Sequence, residues 1–116
     1  IEVIQGGRYE NEDKGFAPIA HETTKMTGIK HRDGIISMAR NGPGSATSEF
    51  FICVGDQPEL DFGGKRNPDG QGFAAFGKII KGMDVVKKIH SLKAEGQYLQ
   101  KPVLILEIAR VRKQKP

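Results

Sequence analysis

The longest apolar runs in this chain are Phe50–Val54 and Val103–Leu106, and the first is bounded on both sides by segments that cannot continue it. Upstream, Asn41-Gly42-Pro43-Gly44-Ser45 supplies neither a helix nor a central strand and reads as loop. Downstream, residues 55–72 are dense in Gly, Pro, Asp and Asn and form a second long loop. Glycine makes up 15 of the 116 residues, so the chain reads as short strands joined by turns rather than as long helices. That length suits one domain. Neither run approaches the ~20 residues of a membrane span. The chain opens at Ile1 without a charged-then-apolar leader, so its N-terminus reads as processed, trimmed or incomplete.

The other elements follow from alternation and turn chemistry. Ile1–Gln5 is a short strand ending at Gly6-Gly7, and residues 11–15 read as an exposed loop. Gly34–Ala39 is a strand entered through the Arg32-Asp33-Gly34 turn, and Phe73–Ile80 is another. From Met83, apolar positions Val86 and Ile89 recur at helical spacing with His90, while Lys87 and Lys88 face away. This predicts the one good helix. Gly96 ends it or the turn after it. Beyond Pro102, the alternation over Val103–Val111 predicts a last strand. Short strands, long glycine-rich loops and one helix favour an all-β barrel or sandwich.

The charge of +4 says little about partners. Arg110, Arg112, Lys113 and Lys115 lie in the last seven residues, so the first 109 carry 14 bases and 14 acids. Nucleic-acid binding needs a basic face able to displace several counterions, and here there is only a tail. The single cysteine, Cys53, excludes an intrachain disulfide and a Cys-based zinc cluster. Within its apolar strand it reads as a packed, inert thiol.

Several chemistries fail on inspection. Gly72–Lys78 has the spacing of a phosphate-binding P-loop, but Ile79 replaces the Ser/Thr that would hold Mg²⁺, and the intervening segment is aromatic and extended. His21, His31 and His90 lack ligand spacing and read as surface or capping histidines, with no metal site. No Gly-x-Ser-x-Gly elbow and no acid/base pair stand out. An enzyme with this sequence would run a reaction needing no nucleophile, metal or cofactor.

The stretch Gly34-Ile35-Ile36-Ser37-Met38-Ala39-Arg40-Asn41-Gly42-Pro43-Gly44-Ser45-Ala46-Thr47-Ser48-Glu49-Phe50-Phe51-Ile52-Cys53 closely resembles the signature of the cyclophilins, the cyclosporin-binding peptidyl-prolyl cis-trans isomerases. Three further landmarks stand in the family's order: Gln5-Gly6-Gly7, Leu60-Asp61 and Phe76-Gly77-Lys78. The lengthened loop Gly63–Gly70 resembles a bacterial-type variant. The resemblance implies an all-β-dominated fold, a closed antiparallel β-barrel with a capping helix. Its first strands and first helix are not in this chain. Residues 1–112 are then the C-terminal majority of a single domain, and 113–116 a basic tail.

By the same resemblance, Gln5 and Phe51 are the catalytic positions, with Gln5 hydrogen-bonding the substrate carbonyl. Phe51 and Leu60 would line a proline pocket, with Val3 at a wall usually held by Met. Ala39, Arg40 and Asn41 fall where the family binds peptide backbone, and Glu49 and Phe73 stand at substrate-contacting positions usually held by Gln and His. On the residues alone, Phe51 reads equally as core, Gln5 as a turn-entry polar residue and Arg40 as a surface charge. The implied partners are proline-containing peptides or unfolded proteins, with no nucleic acid and no membrane.

Three departures qualify the transfer. Glu2 stands where many members have a pocket Phe, and Glu59 where cyclosporin-sensitive members carry Trp, so cyclosporin binding is expected to be weak. The family's catalytic Arg sits in an aromatic-x-Arg motif upstream of Gln-Gly-Gly, and the four residues before Gln5 contain none. A preceding segment is therefore expected in the natural protein. The 116 residues alone are expected to bind proline peptides without accelerating their isomerisation. The compartment is open between cytoplasm and periplasm.

Overall fold

The computed structural model describes residues 1–7 and 16–111. The loop expected at 11–15 and the basic tail at 113–116 lie outside them. Four short strands form one antiparallel sheet: β1 (Val3–Gly6), β2 (Ile35–Met38), β3 (Phe50–Cys53) and β4 (Ala74–Lys78), in the order β1-β3-β2-β4. All four fall inside or within a residue of the segments predicted from alternation. The register sets Gln5 opposite Phe51, Phe51 opposite Ser37 and Ser37 opposite Ala75, so these four side chains share one face in a row across the sheet. A register shift between Ile36 and Ser37 lets β4 skip Phe76, which is left exposed.

Helix α1 (Thr24–Thr27) is one turn, started by the Thr23 hydroxyl accepting from the Met26 N–H and ended by Gly28 in the left-handed region. It escaped the sequence reading, as did the 3₁₀ turn Pro58–Leu60. Four residues are too few to show a period. Helix α2 (Met83–His90) lies where predicted. It buries Val86, half-buries Met83, Ile89 and His90, and carries Asp84 in its first turn and Lys87, Lys88 and His90 in its last, as the helix dipole favours. Gly96 falls in the turn of a two-stranded hairpin, β5 (Ala94–Glu95) and β6 (Tyr98–Leu99). Among the described residues, no helix is long and apolar enough to cross a membrane.

Two expectations are corrected. The fold is mostly sheet, but the four-stranded sheet is open, with β1 and β4 as its edges, and does not close into a barrel. The strand predicted over Val103–Val111 does not form: residues 102–111 make no ladder and are exposed, although Ile105 comes against Gly6. Alternation marks which side chains share a face, but a strand also needs a partner edge in register, which local pattern cannot supply.

Candidate functional site

The face that carries the Gln5–Phe51–Ser37 row also carries Val3 and Cys53, two residues along β1 and β3. Phe51, Cys53, Leu60 and Phe73 form a buried cluster, and Val3 and Ala39 pack against it. Three residues expected at a proline pocket, Val3, Phe51 and Leu60, thus meet in one apolar patch with Phe73, expected at a substrate-contacting position. Phe73 meets Phe51 edge to face, ring centroids 5.2 Å apart at 84°.

Beside this patch runs a polar groove of about 170 Å³ lined by Gln5, Ala39, Arg40, Asn41, Ser45, Thr47 and Glu49. It gathers the remaining expected residues, and Ala39 belongs to both parts. The Ala39 N–H donates to the Glu49 carbonyl, tying the end of β2 to the start of β3. Gln5 is exposed, and its Nε2 makes only a 3.4 Å contact with Glu49 Oε1, a bond long enough to be exchanged for a ligand. Ser45 and Thr47 were not singled out from the sequence. The Ser45 hydroxyl accepts from the Asn41 N–H and donates to the Gly42 carbonyl, which folds the 41–45 loop into the groove wall.

The long loop after β3 is tightly self-bonded. Gly63 N–H donates to Gly70 O, Gly64 N–H to Asp61 O, Arg66 N–H to Glu59 O and Phe73 N–H to Leu60 O. Gly72 sits at φ +64°, and a Cβ there would lie 2.4 Å from the Leu60 carbonyl oxygen, so the close approach of residues 60 and 72 requires glycine. This approach sets Leu60 beside Phe73. Arg40 bonds to the same loop through Asp69 and Gly72.

Beneath Phe51 the structure corrects the reading of His31. It is a core residue, 1% exposed. Its Nδ1 lies 2.7 Å from Asp61 Oδ1 and its Nε2 2.8 Å from the Ser37 hydroxyl. A carboxylate only accepts, so Nδ1 carries the proton and Nε2 accepts from Ser37. Burial pushes the His31 pKa below its ordinary value, against the opposing hydrogen bond and charge of Asp61. The Cys53 thiol is pushed up to about 12, first by burial and then by Asp61, Asp33 and Asp56, consistent with a packed, inert thiol. Glu2 does not enter the apolar patch: its carboxylate lies 2.6 Å from His90 Nε2 on α2. A shallow depression of about 530 Å³ lies between α1 and residues 58–64, with Lys25, Lys30 and Glu59 on its walls.

The arrangement offers an apolar patch with aromatic walls, a polar groove alongside it and an exposed amide at their junction. Residues 2–110 match the family described as cyclophilin type peptidyl-prolyl cis-trans isomerase/CLD. The chain is 37% identical over 120 residues to peptidyl-prolyl cis-trans isomerase A of Dickeya dadantii, covering 96% of this chain and 60% of that protein. It is 45% identical over 91 residues to the peptidyl-prolyl cis-trans isomerase of Acinetobacter baylyi, covering 75% and 45%. With peptidyl-prolyl cis-trans isomerase B of Escherichia coli the figures are 42% over 91 residues, covering 75% and 54%. The chain spans about half the length of these relatives.

Proposed function

Because the chain belongs to the cyclophilin-type peptidyl-prolyl cis-trans isomerase family, we propose that it accelerates rotation of Xaa-Pro bonds in unfolded or extended chains and so assists their folding. The observation that carries this reading is the meeting of Phe51, Leu60, Phe73 and Val3 in one apolar patch, with Gln5 directly across the β1–β3 ladder from Phe51. Rotation of the bond breaks amide resonance, with a barrier of ~18–20 kcal/mol, and takes tens to hundreds of seconds unaided. No nucleophile is required. Phe51, Leu60 and Phe73 grip the proline ring, Ala39, Asn41 and Glu49 border the preceding backbone, and the Gln5 amide donates to the displaced carbonyl. A donor aimed at the twisted state and not the planar one lowers the barrier.

A second reading, a proline-peptide binding module without turnover, is favoured by one observation. Arg40 is the only arginine among the described residues that line the groove, and its guanidinium is committed to Asp69 and Gly72. Cis/trans exchange of an Ala-Pro peptide, followed by NMR with and without the chain, separates the two. Line broadening at substoichiometric protein supports the isomerase; saturable binding without faster exchange supports the module.

Cyclosporin binding is weak on this reading. Glu59 presents an exposed carboxylate where drug-binding members offer an indole N–H donor. A nanomolar dissociation constant by titration would refute that.

A further inference from the structure

We infer that Arg40 and Asp69 form a clamp that positions Phe73, the outer wall of the proline pocket, and that Arg40 acts on substrate only through that ring. The inference rests on the proposed proline-binding site.

The hydrogen-bond inventory of Arg40 is complete. A guanidinium has five N–H donors. Nε donates to the Gly72 carbonyl at 2.9 Å, Nη1 to the Asn41 carbonyl at 2.9 Å and to Asp69 Oδ2 at 3.0 Å, and Nη2 to Asp69 Oδ1 at 3.0 Å and to the Gly72 carbonyl at 2.6 Å. Five donors make five bonds, so none is left for a peptide in the groove. The side chain is 2% exposed while Asp69 is 30% exposed, so the carboxylate closes over the guanidinium from the solvent side. The bidentate fork fixes the plane of the group.

That plane lies over Phe73, with the guanidinium carbon 5.3 Å from the ring centroid. Phe73 follows Gly72, whose carbonyl takes two of the five bonds, and its own N–H is held by the Leu60 carbonyl at 3.0 Å. Backbone and ring are therefore fixed from both sides. Phe73 then meets Phe51 edge-on. The loop carboxylate is thus connected to the pocket wall through two contacts, Asp69 to the Arg40 guanidinium and the guanidinium to the Phe73 ring.

The test uses R40Q, R40K and D69N in the full chain, with the wild type as reference. R40Q is expected to raise KM for a prolyl peptide about tenfold while kcat stays within about twofold, because a displaced wall weakens the grip on both isomers. D69N, which lies outside the groove, is expected to reproduce most of that rise. R40K, which keeps the charge but loses the fork, is expected to resemble R40Q, and the R40Q/D69N double variant to be no worse than R40Q. In all of them the Phe73 ring protons should shift in the free protein.

A silent D69N beside an impaired R40Q would overturn the clamp and make Arg40 a direct contact. A fall in apparent kcat at constant KM, tracking loss of folded chain by circular dichroism, would reduce the pair to a stabilising one and also overturn it. If the wild type binds proline peptides without turnover, Kd replaces KM with the same pattern expected. If it neither turns over nor binds, the proposed function fails, while unchanged Phe73 shifts in R40Q and D69N would separately refute the clamp.

Discussion

The imidazole of His31 lies nearly parallel to the ring of Phe51, centroids 5.8 Å apart at 18°, and so supports it on the sheet face that Phe51 shares with Ser37. Asp61 accepts from both the Nδ1 and the backbone N–H of His31, and Ser37 completes the set at Nε2. His31→Ala opens a cavity, leaves the Ser37 hydroxyl without its partner and leaves Asp61 only the backbone N–H of residue 31, which is expected to destabilise the chain by about 3 kcal/mol. Ser37→Ala removes one bond and is expected to cost about 1 kcal/mol. Urea midpoints of the two variants check the order, and equal midpoints would refute the buried network.

Acid should weaken the fold through the same histidine. Its folded pKa lies below the ordinary 6.5, so as pH falls through 6.5 the unfolded chain takes up a proton that the folded chain refuses. The stabilisation is complete above 6.5 and declines towards the folded value. Asp69, held below its ordinary 3.8 first by Arg40 and then by the Gln71 N–H, adds a second loss as pH falls past 3.8. The expected result is a denaturant midpoint that decreases steadily on acidification, with the His31 ring resonance showing no inflection at 6.5. A ring titrating at 6.5 or above would contradict the assignment.

The sequence made the strands legible because each is a short apolar run closed by glycine or proline chemistry, as Phe50–Cys53 is by residues 41–45 and 55–72. The resemblance named Val3, Phe51, Leu60 and Phe73, which the fold brings into the patch, and Gln5, Ala39, Arg40, Asn41 and Glu49, which line the groove, but not Ser45 or Thr47. The roles of His31 and Arg40 were not legible, and for the same reason. His31 is completed by Asp61, thirty positions on, and Arg40 by Asp69 and Gly72, twenty-nine and thirty-two positions on. Spacing arguments see only partners within a helical turn or a strand pair. The predicted strand at Val103–Val111 fails from the opposite side, having the local pattern without the distant partner.

Cys53 offers a direct check of core integrity. With no exposure and a thiol raised to about 12, it should resist a thiol-specific reagent at mildly alkaline pH in the folded chain and react with one equivalent in denaturant. Its folded pKa exceeds the ordinary 9.0, so its contribution to stability is present below 9.0 and is lost as pH rises towards about 12. Rapid labelling of the native chain would place the thiol outside the cluster with Phe51, Leu60 and Phe73.

Gln5 separates chemistry from packing. Its side chain is exposed and its contact with Glu49 is long, so Gln5→Ala is expected to change stability by less than about 0.5 kcal/mol. If its amide donates to the rotating carbonyl, kcat/KM should fall by one to two orders of magnitude, the scale of a lost preorganised donor. Gln5→Glu, which keeps the shape but supplies no N–H, should fall as far. An unaffected kcat/KM in both, measured by coupled or NMR exchange assay, would remove Gln5 from the mechanism.

Gly72 concentrates these arguments in one atom. Alanine there meets two separate obstacles: a φ of +64° and a Cβ 2.4 Å from the Leu60 carbonyl oxygen and 2.6 Å from the Asp61 carbonyl carbon. Gly28, at φ +77° with nothing within 4 Å of its Cβ position, carries only the first obstacle. Gly28→Ala should therefore cost about 1 kcal/mol, and Gly72→Ala at least about 2 kcal/mol, because the backbone contact cannot be relieved by a rotamer change. The two also differ in consequence. Displacing Gly72 moves the carbonyl that Arg40 grips and loosens the Phe73 N–H bond to Leu60, so both walls of the patch shift. Thermal melts and proline-peptide titrations of the two variants decide the matter. Gly72→Ala should lose binding beyond its loss of folded chain, and Gly28→Ala should not. Equal effects would mean that the loop and the pocket are not mechanically joined.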